Sequence, residues 1–67
     1  MIMMTKQDWV VCIENCAKAL CDAGKADEVT FILRTKGHGA RSAEDLLPGD
    51  FDVVFDDLFQ READLRD

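Results

Sequence analysis

The sequence predicts a small all-α domain of three helices, two long and one intermediate, with a short turn before the last. Three observations carry this expectation. Apolar residues recur at alternating spacings of three and four, breaks fall at Gly24, at Gly37-His38-Gly39 and at Pro48-Gly49, and no segment alternates with period two. With 67 residues the chain is expected to form one domain, residues 1–67. A chain of this size buries only about 60% of the surface it exposes when unfolded, so stability is modest. Its 48% hydrophobic and 33% charged residues match a folded domain rather than a disordered chain.

The first helix is expected to start near Lys6. Thr5 stands three residues before Asp8, a capping box with Asp in place of Glu or Gln, and Met4 is placed to staple onto Trp9. Residues 1–4 are expected to fray. Trp9, Ile13, Cys16, Leu20 and Ala23 share one stripe, and Gly24 sits where a helix ends in a left-handed residue.

Residues 26–36 place Val29, Phe31, Ile32 and Leu33 at helical spacing, with Asp27 and Glu28 in the first turn and Arg34 and Lys36 in the last. Val29-Thr30-Phe31-Ile32-Leu33 also suits a strand by propensity, but no second strand exists to pair with it, so the segment reads as a helix closed by Gly37. A loop follows over residues 37–41. Ser42-Ala43-Glu44-Asp45 resembles a second capping box and starts one short turn, and Pro48 suits the first turn of the last helix. There Phe51, Val54, Phe55, Leu58 and Leu65 form a stripe that Phe59 and Ala63 widen. The expected core is Trp9, Ile13, Cys16, Leu20, Val29, Ile32, Leu33, Phe51, Val54, Phe55 and Leu58.

The charge is lopsided. Of the net −6, residues 44–67 contribute nine carboxylates against Arg61 and Arg66, whereas residues 1–43 hold six cations and five carboxylates. That sign repels phosphate backbones and anionic headgroups, so direct nucleic-acid binding and membranes are disfavoured. No stretch approaches the roughly 18 apolar residues needed to span a bilayer. On the last helix Asp50, Asp57 and Asp64 are seven apart and align, with Asp56 and Gln60 alongside. Such a face keeps a small domain soluble. It also suits docking, so Asp50, Asp56, Asp57 and Asp64 are the candidate partner-binding residues, facing a protein partner with a basic surface. Arg34, Lys36 and Arg41, with His38, form a secondary basic patch that complements the C-terminal end of the second helix. It lacks the interleaved aromatics or recognition helix of a DNA binder.

Three cysteines, Cys12, Cys16 and Cys21, are an odd number, and residues 1–4 are too short for a signal-peptide core, so a cytoplasmic chain without a disulfide framework is expected. Cys12 and Cys16 lack the CxxC pairs of a structural zinc site and read as small hydrophobes. The aspartates around Asp56-Asp57 lack a calcium-loop pattern. No metal, no cofactor and no enzymatic activity are expected, because a three-helix domain of this size has little interior for a water-excluding pocket. Val10, Ala17 and Cys21 lie beyond the main stripe of the first helix, which favours a homodimer over a monomer.

Residues 9–21, Gly24-Lys25-Ala26-Asp27, Glu44-Asp45-Leu46, Pro48, Phe51, Val54-Phe55, Leu58 and Asp64-Leu65 resemble a family of short uncharacterised helical proteins. These are encoded on plasmids, phages and integrative elements of gut Gram-positive bacteria. The similarity covers nearly the whole chain and is a packing pattern without a catalytic signature. Leu47 stands where members of the family often carry a capping Ser before the proline. The resemblance implies a mobile-element accessory protein of unknown activity, and the acidic face adds the expectation that it binds another protein. The alternative it implies is an anti-CRISPR-like inhibitor of a nucleic-acid-binding host-defence enzyme, acting through the acidic helix face.

Overall fold

The structure, a computed structural model, describes residues 4–65 and contains α1 (Lys6–Asp22), α2 (Ala26–Thr35) and α3 (Phe51–Asp64). Two 3-10 turns, Ala43–Asp45 and Pro48–Asp50, connect α2 to α3, and no strand occurs among the described residues. The fraying expected at residues 1–4 lies outside the described residues except at Met4, which precedes the helix and is exposed.

Local chemistry sets the ends of α1. Thr5 Oγ1 accepts from the Asp8 amide at 3.2 Å while Asp8 Oδ2 accepts from the Thr5 amide at 3.1 Å, which completes the expected capping box. At the other end Gly24 adopts φ +81°, its amide donates to the Cys21 carbonyl at 3.0 Å, and the Lys25 amide donates to the Leu20 carbonyl at 2.8 Å. These two bonds satisfy carbonyls that the helix itself leaves open.

Helix α2 has no side-chain cap at Lys25 and is held by burial of Val29, Ile32 and Leu33. It ends at Thr35, and Gly37 follows it without adopting a left-handed conformation. The left-handed positions are His38 (φ 55°) and Gly39 (φ +85°). Gly37 is buried, and a Cβ there would lie 2.5 Å from both the Leu33 carbonyl oxygen and Leu46 Cδ2, so only glycine lets the 37–46 segment lie against the helix.

The most extensive packing is between α1 and α3, with α2 across both. Ile13, Cys16, Leu20, Val29, Ile32, Leu33, Phe51, Val54 and Leu58 are buried as expected. Trp9 and Phe55 are half-buried at the edge of this core, where their rings meet edge-on. Ala40, Ala43 and Leu46 join the core from the connecting segment. That segment also corrects the placement of Val10, which is 3% exposed because the Ala43–Asp45 turn packs against α1. Ala23, Phe59 and Ala63 are exposed rather than extensions of the core, since three helices leave nothing to cover those flanks. The second capping box does not form. Ser42 makes no side-chain cap, and Asp45 Oδ2 instead accepts from the Arg41 amide at 3.3 Å. Leu47 provides no side-chain cap to the Pro48–Asp50 turn, which runs directly into α3.

Candidate functional site

Burial of Phe51, Val54 and Leu58 fixes the rotation of α3 about its axis. At 100° per residue the opposite side then presents Asp52, Val53, Asp56, Gln60 and Asp64 to solvent. Phe59 stands at the edge of this face. It is 52% exposed and ends a row of aromatic rings that starts in the core. Trp9 stacks on Phe51 with centroids 6.1 Å apart, meets Phe55 edge-on at 5.9 Å, and Phe55 meets Phe59 at 5.6 Å. The exposed ring is therefore held from behind, which lowers the entropy cost of using it in a contact.

The four candidate aspartates divide into two pairs. Asp50 Oδ2 accepts from His38 Nδ1 at 2.8 Å and its side chain is only 13% exposed, because the residue belongs to the turn before α3. Asp57 is half-buried and accepts from Arg61 Nε at 3.0 Å. Asp56 and Asp64 are exposed and make no ion pair with a described residue. Asp52 is exposed on the same side and belongs with them. Its i,i+4 spacing to Asp56 is the signal for it in the sequence, a relation that the seven-residue repeat of Asp50, Asp57 and Asp64 does not contain. An open cleft of about 630 Å³ runs along this face, lined by Trp9, Val53 and Phe55 with Asp52, Asp56, Asp57, Gln60 and Lys36.

The basic patch also divides. Lys36 faces the acidic cleft, whereas Arg34 and Arg41 line a separate recess of about 250 Å³ with Thr30, Gly39 and Ala40. His38 bonds Asp50 and ties the loop to the start of α3.

Arg61 is the main electrostatic link between helices. Its Nη1 lies 2.7 Å from Glu28 Oε1, and this hydrogen bond holds the Glu28 carboxyl below its ordinary range. Bonds to Asp57 and Glu28 raise Arg61 further above its ordinary value. Burial, reinforced by the neighbouring Glu62 carboxylate, pushes the Cys16 thiol up to about 11. It stays protonated at neutral pH and is a poor nucleophile. Cys12 is half-buried and Cys21 exposed. Among the described residues no cluster of three or more His, Cys, Asp or Glu side chains is arranged to hold a metal ion, and no helix is long and apolar enough to cross a membrane.

Comparisons of the chain with protein-family models, with curated proteins and with solved structures find no match.

Proposed function

We propose that this chain is a cytoplasmic accessory protein that binds another protein, docking through the outer face of α3 onto a basic surface. The observation that carries this reading is the composition of that face. Exposed carboxylates of Asp52, Asp56 and Asp64 alternate with Val53 and Phe59, which are 46% and 52% exposed. Single exposed apolar side chains are common on any surface, but here an aromatic ring braced by Phe55 stands beside a group of carboxylates, the pairing of anchor and steering charge that a docking face uses. Three free thiols suit a reducing compartment.

The inhibitor reading asks the same face to imitate nucleic acid, and on the resemblance it belongs to a mobile-element setting. Duplex DNA carries one charge per ~1.7 Å. Engagement of Asp50 and Asp57 within the molecule thins the carboxylate row well below that density, so a protein partner of ordinary basic character fits the face better.

The test is an affinity capture from bacterial lysate with the retained proteins identified by mass, repeated with two variants. Asp52→Lys/Asp56→Lys/Asp64→Lys and Phe59→Ala are each expected to lose the partner that the unmodified chain retains, and raised salt is expected to weaken retention. If both variants stay folded and keep that partner with an unchanged salt dependence, the face is solubilising and the proposal fails.

A further inference from the structure

One side of the molecule carries an apolar depression over the core. Between α1, α2 and the Ala43–Asp45 turn lies an apolar groove of about 360 Å³, with Ile13, Leu33 and Leu58 among its floor residues and Ala17 and Ala43 on its walls. Ile13 and Leu58 beneath it are 1% and 0% exposed, so the groove ends on a closed core and lies as an apolar depression over it. Glu14 and Lys18 border it from α1. Lys18 Nζ stands 3.7 Å from Asp22, with the two side chains 78% and 70% exposed, a loose pair that leaves the ammonium able to turn elsewhere.

We propose that a second copy of the chain closes this groove, with α1 antiparallel to α1 of its partner about a two-fold axis. Charge selects this occupant. A chain of net −6 repels its own copy on most approaches, but this rim balances one carboxylate against one ammonium. In an antiparallel pair centred near Cys16, Glu14 of each copy falls opposite Lys18 of the other. One pair of residues thus makes two ion pairs and no like-charge contact, the self-complementarity that a two-fold interface requires. Leu58 meets the groove from the core side of α3, so the outward carboxylates of both copies stay accessible. The pairing is independent of the docking proposed above and is tested without a partner.

Sedimentation equilibrium of the full chain at micromolar concentration is expected to give twice the 7.5 kDa of one chain. Lys18→Glu and Glu14→Lys each place like charges in both symmetric contacts and are expected to weaken the dimer about tenfold. The combined Glu14→Lys/Lys18→Glu variant restores opposite charges and is expected to recover affinity to within about threefold of the original. Ala17→Arg, which fills the groove wall, is expected to be monomeric with an unchanged far-UV circular dichroism spectrum. Both rim side chains are exposed, so the charge swap does not depend on tolerance of Ala17→Arg. A mass of 7.5 kDa at every concentration overturns the proposal, as do single variants that dimerise normally or a swap that does no better than either single change.

Discussion

Arg61 of α3 clasps Glu28 of α2 across 2.7 Å while its Nε holds Asp57 of its own helix at 3.0 Å. The depressed Glu28 carboxyl means that this link contributes stability above the ordinary glutamate value of 4.5 and loses it as pH falls through the lowered folded value. Thermal unfolding of Arg61→Ala is therefore expected at a lower temperature than the unmodified chain at neutral pH. The two curves converge in acid. A gap that persists unchanged into strong acid contradicts the assignment.

The cysteines separate by environment. Cys21 is expected to react quickly with a thiol reagent at neutral pH, and Cys16 only on unfolding. A thiol raised from 9.0 to about 11 leaves stability intact below pH 9.0 and removes it as pH rises toward 11. Cys16→Ala is expected to flatten that alkaline fall in melting temperature, and an unchanged alkaline slope refutes the role given to Cys16.

Gly37 and Leu46 form one packing unit, with no room for a Cβ between them. Gly37→Ala is expected to cost about 1–3 kcal/mol by overpacking, and Leu46→Ala about 2–5 kcal/mol by leaving a cavity. The double variant should cost less than the sum, because the shortened side chain removes one of the two close approaches and leaves only that to the Leu33 carbonyl. Full additivity in urea unfolding argues against the contact.

Two phenylalanines on one helix should behave oppositely. Phe51 is 3% exposed and its truncation to Ala is expected to cost about 3–5 kcal/mol. Phe59 is 52% exposed and its truncation is expected to cost about 1 kcal/mol or less, mainly the ring contact with Phe55. Equal losses in chemical denaturation return Phe59 to the core and remove the docking anchor.

The sequence by itself determined the three helices, because their signals are local. Thr5 with Asp8, Gly24 after Asp22, and apolar spacings of three and four each act within one or two turns of chain. It also placed the carboxylates on the last helix. Tertiary structure alone decided which of them face outward unpartnered, since His38 bonds Asp50 from 12 residues away and Arg61, which holds Asp57, is itself anchored 33 residues back on Glu28. The fate of Val10 was decided the same way, by a turn formed more than thirty residues later. Helical periodicity says which side of a helix is apolar or charged. Which element lies against that side depends on how the chain returns, and here the close approach allowed by Gly37 turned the 37–46 segment from a linker into part of the core.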